Sequence, residues 1–418
     1  MRATLFVLLA VVFVASFASN VAAATWYNLG ATGFSTTPSW TQDFRRIRTN
    51  AICADGAGNV YATSLNGNNS AAGGLTIFKT NGTKIQVDLN ALGLQGGITK
   101  MVKGGDGSVY ALQNWMEINW PYNDGQPDRI LKIGADGTVT TVYAMSGTTD
   151  AMRLGGMDVG GDGNIYWTTN GADSYWKVHF LWRYDVASGV VEEAPINTVN
   201  NGWSETHRLV DLEYTGNNMF SVIKMGGAEW RADPISWTTN RAVGDVSNPG
   251  WGRDWAIATE FDEAHGNLWI AARGQGNRLI LTRWNDSNGD GIMDSDIVWH
   301  ALDSDADLGA IWWNTGLAVD AAGDAWMSFG INSPLNTILG YREHVVRRTL
   351  SMALIDEGVP QVGADVMALG YANGGMYALV MDKVSGAYSL YTTVPEPGSL
   401  LALGTGLIGL LGVIRRRK

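Results

Sequence analysis

Cysteine is almost missing from this 418-residue chain. The single thiol, Cys53, excludes an intramolecular disulfide, and with only five histidines beside it a structural zinc cluster is excluded too. Proline is scarce, at 10 residues, whereas glycine reaches 53, the balance expected of many tight turns between short strands. Charged side chains make up only 17% against 45% hydrophobic, too apolar a mixture for a disordered chain. Cations are the scarcer sign: residues 25–394 hold 24 Lys and Arg against 39 Asp and Glu. So acidic a body repels phosphate backbones, which excludes nucleic acid as a main partner. No G-x-S-x-G, H-E-x-x-H or phosphate-loop pattern occurs. Long apolar runs are confined to the two ends.

At the start, Met1-Arg2 precedes an apolar run from Leu5 to Phe17 and then the small residues Val21-Ala22-Ala23-Ala24. That is the order of a secretory signal peptide, so residues 1–24 are expected to be a leader and the mature chain to begin near Ala24 or Thr25. At the end, Pro395-Glu396-Pro397 is followed by 17 uncharged residues, Gly398 to Ile414, and then by Arg415, Arg416, Arg417 and Lys418. Seventeen residues is the short limit of a membrane-spanning helix, whose terminal cations would stay cytoplasmic and leave the rest outside. This three-part tail, residues 395–418, resembles the PEP-CTERM sorting signal. The resemblance implies a Gram-negative bacterium and an exosortase-type protease acting near the PEP motif after transient membrane anchoring. It also implies a destination at the cell surface or in the extracellular matrix.

Between the ends one motif recurs seven times: ICADGAGNVYATS at 52–64, MVKGGDGSVYALQ at 101–113, and relatives at 156–170, 210–224, 258–273, 316–330 and 365–382. Taking the residue before each apolar-aromatic pair, the copies fall at Asn59, Ser108, Asn164, Asn218, Asn267, Asp324 and Gly375, about 53 residues apart. Each copy is an apolar strand, a Gly/Asp/Asn turn and an aromatic strand, and a second hairpin follows most of them. Four strands per repeat, seven times over, predict an all-β, seven-bladed β-propeller of four-stranded blades over residues 25–394. The seventh repeat lacks a fourth strand before the tail. The mature N-terminal segment TWYNLG is expected to supply it and close the ring. The repeats resemble the NHL and gluconolactonase-like propellers, whose turn reads D-x-x-G-x, then an aliphatic and an aromatic residue. That likeness is structural and by itself implies no activity.

The loop Asp286-x-Asn288-x-Asp290-Gly291-Ile292-x-Asp294-x-Asp296 places oxygen ligands at the spacing a calcium ion needs, with the Ile292 carbonyl as one of them. Ile297 stands where an EF-hand has its bidentate Glu, and Asp296 is expected to substitute, giving a structural calcium site. Eleven residues before the repeat references lie Arg48, Gly97, Arg153, His207, Trp255, Trp313 and Ala364, with one inserted residue allowed in the fifth copy. These positions, with Trp115 and Trp120 from the long loop 113–128, are expected to line a funnel. There tryptophan faces would suit sugar C–H bonds and arginine would suit carboxylates. The competing reading is that the tryptophans pack blade against blade. Glu205, His207 and Asp211 could form an acid-base group, but a lone His beside acids in a β-rich chain is more often a loop hydrogen-bonding residue, and no catalytic residue is assigned. Gluconolactonase-like enzymes hold a divalent metal in the channel with a Glu and Asn/Asp set, and no such set is recognised here. Cys53 is expected to be an inert buried thiol. The expectation is an exported propeller that binds a glycan or a surface protein without catalysis, the alternative being a secreted hydrolase or lyase acting on a sugar or lactone.

Overall fold

A computed structural model describes residues 23–36, 51–65, 73–94, 97–114, 127–145, 154–170, 178–193, 209–216, 219–223, 231–235, 255–273, 279–285, 300–301, 311–331, 344–351 and 353–394. The described residues form an all-β propeller built of small antiparallel sheets, numbered here one to seven by the chain order of their first strands. Sheets one, two, three, five and six each contain four consecutive strands and begin at Ile52, Gly97, Leu154, Trp255 and Ile311. Sheet seven joins Ala364–Ala372, Gly375–Asp382 and Ala387–Thr392 to the N-terminal strand Tyr27–Ser35, with Tyr27 opposite Thr392 and Ala31 opposite Ser389. Sheet four departs from the expected four strands. Among the described residues it has three, Leu209–Tyr214, Met219–Ile223 and Arg231–Ile235. Each first strand touches the first strand of the next sheet, and that of sheet seven touches that of sheet one.

The recurring turn is a small machine for reversing the chain. In sheet one Gly58 takes φ +81°, and the Asp55 carboxylate accepts the backbone N–H groups of Ala57 and Asn59 at 2.9 Å each. The Tyr61 hydroxyl then donates to Asp55 Oδ2 at 3.0 Å. The same clasp links Tyr110 to Asp106 (3.2 Å), Tyr166 to Asp162 (2.8 Å) and the Trp326 indole to Asp320 (2.7 Å). In these four copies the aromatic residue two places after the repeat reference is thus tied to the turn it follows. Neighbouring turns also meet: Gly56 N–H donates to the Gly107 carbonyl and Gly105 N–H to the Gly163 carbonyl. A Cβ on Gly105 would lie 2.9 Å from the Gly163 Cα, so no other residue fits there without a shift.

The apolar clusters lie between successive sheets. Tyr61, Leu75 and Ile77 of sheet one pack with Ala111, Leu131 and Ile133 of sheet two, and Ala62 and Phe78 pack with Met367, Leu379 and Leu390 of sheet seven. A strand flanked by two sheets therefore loses the alternation of a half-buried strand. Val60–Leu65 is buried at every position, whereas the outer strand Lys84–Asp88 alternates. Trp167 and Trp269 are fully buried within such clusters. Among the described residues no helix is long and apolar enough to cross a membrane. The expected spanning segment Gly398–Ile414 lies outside them, as does the leader through residue 22.

Candidate functional site

The first strands of all seven sheets converge on one channel with a volume of about 470 Å³. Six of these strands carry a register shift near their start, for example between Ile98 and Lys100, Leu209 and Asp211, and Ala256 and Ala258. A bulge re-aims the residues after it. Close approach of the strands leaves room for little but glycine at some points: a Cβ on Gly156 would meet the Leu212 N at 2.2 Å, and one on Gly316 the Leu369 N at 2.5 Å.

Into this channel sheets two to five bring the buried cation Lys100 and a group of carboxylates. The Lys100 ammonium donates to Asp211 Oδ1 at 3.1 Å, to the Leu212 carbonyl at 3.0 Å and to Glu213 Oε1. Thr259 donates to the same Glu213 oxygen at 3.0 Å. Asp158 accepts the N–H groups of Tyr214 at 2.6 Å and Val159 at 2.8 Å. Glu260 lines the channel beside them. Burial alone would depress the Lys100 ammonium, but Asp211, Glu213, Asp158 and Glu260 outweigh it and push Lys100 well above the usual lysine range. Burial pushes Glu213 well above the carboxylate range, with Asp158, Asp211 and Glu260 adding to it against Lys100. Burial likewise raises Asp158, and it carries Glu260 to about 7 with help from Asp158 and Asp211. Four carboxyls against one ammonium cannot all ionise cheaply, so near neutrality this group holds a proton as well as charge.

Among the described residues no group of three or more His, Cys, Asp or Glu is arranged to hold a metal ion. The carboxylates that could serve instead, Asp211 and Glu213, bond to the Lys100 ammonium, which stands where a cation would sit. Among the described residues the channel lining therefore does not fit the divalent metal that the resemblance to gluconolactonase-like enzymes implies. Cys53 lies on a strand that lines this channel and packs against the apolar cluster between sheets one and two, and burial pushes its thiol up to about 12, so it stays protonated at neutral pH.

Of the residues singled out in the sequence, Asp211 is brought into this cluster, while Glu205 and His207 lie outside the described residues. Trp255 opens the first strand of sheet five and Trp313 is the third residue of the first strand of sheet six. Their side chains are outside what is described. Arg48, Arg153, Trp115 and Trp120 fall outside the described residues, as do the loop Asp286, Asn288, Asp290, Ile292, Asp294 and Asp296 and the tail residues Pro395, Glu396, Pro397, Arg415, Arg416 and Arg417. Lys100, Asp158, Glu213 and Glu260 were not singled out. The available signal was a charge inside an otherwise apolar first strand, in ITKMVK, GGMDVG, VDLEY and ATEF, repeated in four successive copies.

The PEP-CTERM protein-sorting motif matches residues 393–418. No curated protein sequence matches the chain. Among solved structures, a streptogramin B lyase aligns at 10% identity and TM-score 0.50, over 88% of this chain and 97% of its own. Raptor from Chaetomium thermophilum aligns at 12% identity and TM-score 0.51, over 90% of this chain and 30% of that one. A periplasmic gluconolactonase from Pseudomonas aeruginosa aligns at 14% identity and TM-score 0.43, over 84% and 86%. At such identities the likeness is one of fold alone. The protein is a β-propeller. It carries a PEP-CTERM sorting motif at its C-terminus, which marks it for exosortase-dependent export to the cell envelope or surface.

Proposed function

We propose that this protein is an exported propeller that binds a ligand in its central channel, at the cell surface or in the extracellular matrix, without catalysing a reaction. The observation that carries this reading is the channel itself, lined by all seven first strands and furnished with Asp158, Asp211, Glu213 and Glu260 around Lys100. Carboxylates accept hydrogen bonds from hydroxyl and ammonium groups. The ligand this chemistry suits is a neutral or amino-bearing glycan, or a cationic side chain of a surface protein, in preference to the acidic glycan that a rim of arginines would favour. An array of neutral, amino and acidic glycans, probed with the mature protein with and without calcium, tests it. Saturable binding of the first two classes without turnover supports the reading, and binding confined to acidic glycans refutes it.

The alternative is a secreted hydrolase or lyase acting on a sugar or lactone. It draws on Glu260, a carboxyl raised to about 7 in the channel and so able to exchange a proton near neutrality. Release of product from a polysaccharide or lactone panel, abolished by Glu260→Gln, would establish it.

Three finer features belong to the same reading. The seven sheets form a closed seven-bladed ring sealed by the N-terminal strand, which the pairing of Tyr27–Ser35 with Ala387–Thr392 supports. The Asp286–Asp296 loop binds a structural calcium ion, so chelation should lower the melting temperature and Asp290→Ala should remove that dependence. The tail is cut near Pro395–Pro397 after transient anchoring by Gly398–Ile414, so mass spectrometry of the exported protein should not find Lys418.

A further inference from the structure

The residues just before the N-terminal strand hold on to sheet six as well as leading into sheet seven. The Trp26 indole donates to the Glu357 carbonyl at 3.0 Å, and its ring meets Trp326 edge-on with centroids 6.4 Å apart. The backbone N–H of Ala24 donates to Glu357 Oε2 at 2.8 Å. Glu357 is only 1% exposed, and its other carboxylate oxygen accepts from Arg347 Nε at 2.5 Å. That guanidinium is shared, because its Nη1 donates to Asp324 Oδ2 at 2.6 Å. Two buried carboxylates thus face one guanidinium, and the remaining Glu357 oxygen rests on a neutral peptide N–H. A buried carboxylate is better satisfied by a charged donor than by a neutral one. The nitrogen on that oxygen belongs to the segment where the leader is expected to end, and Ala23 on its other side is exposed.

We propose that the leader is cut between Ala23 and Ala24, and that the α-ammonium so formed pairs with Glu357 and fastens the N-terminal strand to sheet six. The cut adds one water across the Ala23–Ala24 peptide bond. The C–N bond breaks, the hydroxyl goes to the Ala23 carbonyl carbon, which departs as a carboxylate, and the Ala24 nitrogen takes up protons to become an ammonium. Val21 and Ala23 are the small residues that such a cut needs at the third and first positions before it. Leader removal turns a neutral donor into the second cation of the Asp324–Arg347–Glu357 group without moving the nitrogen. A cut one residue later removes that donor.

The proposal rests on the leader reading, and the experiment separates the two. Mass spectrometry of the exported protein should find Ala24 at the N-terminus. A start at Thr25 overturns the clamp, and retention of Met1 overturns the leader reading itself. Thermal unfolding then compares the mature chain with one carrying an extra glycine before Ala24, each with Glu357 intact and with the Glu357→Gln substitution. The extension should lower the melting temperature by about 2 °C with Glu357 present and leave it unchanged in the substituted background. An equal loss in both backgrounds overturns the clamp. Should Glu357→Gln fail to fold, acylation of the terminal amine decides. The Ala24 amine should react about tenfold more slowly than that of the extended chain, since a paired ammonium gives up its proton less readily, and equal rates overturn the proposal.

Discussion

Replacing Glu260 with Gln removes one charge from the crowded channel while keeping the side chain's shape. Because the Glu260 carboxyl titrates near 7 in the folded protein, against an ordinary 4.5, the folded state holds a proton there that the unfolded chain has lost. Stability from this group is therefore fully present below about pH 4 and is lost as pH rises toward and through 7. Each pH unit of displacement is worth about 1.4 kcal/mol, so the ionised side chain costs up to about 3 kcal/mol at pH 8. Glutamine is free of that cost. With an unfolding entropy of about 2.1 cal/mol/K per residue over some 370 residues, Glu260→Gln should raise the melting temperature by about 4 °C at pH 8. At pH 4.5 it should have almost no effect. Calorimetry of parent and variant at the two pH values reads the difference directly. A variant less stable than the parent at pH 8, or an equal shift at both, would falsify the account of the channel as overcharged.

Lys100→Met leaves the same carboxylates without their cation and should cost about 3 kcal/mol at neutral pH, less at pH 4.5, as read by urea unfolding; pH-independent loss would point to packing alone. Gly105→Ala drives a methyl group against the backbone of Gly163 and should cost about 1–3 kcal/mol, whereas the same change at Gly82, with nothing near its Cβ, should cost only the strain of its positive φ. Deleting residues 25–30 uncovers an edge of sheet seven and should lower stability by several kcal/mol, on the order expected for lost strand pairing. An unchanged melting temperature would sink the closed ring.

The hairpins were legible because everything that makes them is local. Gly58, Asp55 and Tyr61 lie within seven consecutive residues, and their recurrence at a fixed interval carries both turn and clasp. The N-terminal partner of the last strand was legible by subtraction, as the strand the seventh copy lacked. The channel group was not. Lys100 and Glu213 meet across 113 residues, and each looks in its own strand like an ordinary solvated charge. Stepping eleven residues back from each repeat reached the strand beginnings, Gly97, Trp255 and Ala364. The bulges that follow turn the strand middles toward the axis. Reading the charges as a column across copies 2 to 5, in place of a row along the chain, was the missing step. In sheet four Pro234 lies on Arg231–Ile235, the last strand of that sheet among the described residues, an edge position that suits a residue unable to donate to a further ladder.

The strand that ends at Thr392 runs between two partners, Gly375–Asp382 on one side and Tyr27–Ser35 on the other. The sorting motif follows at once, at residue 393. Any pull on the tail along this strand's axis must slide it past both neighbours, loading the hydrogen bonds of two ladders together instead of opening them one at a time. A protein tethered by that tail to a surface in flow would meet the drag in shear, the direction in which paired strands resist most. Without the N-terminal strand, half of that grip would be missing.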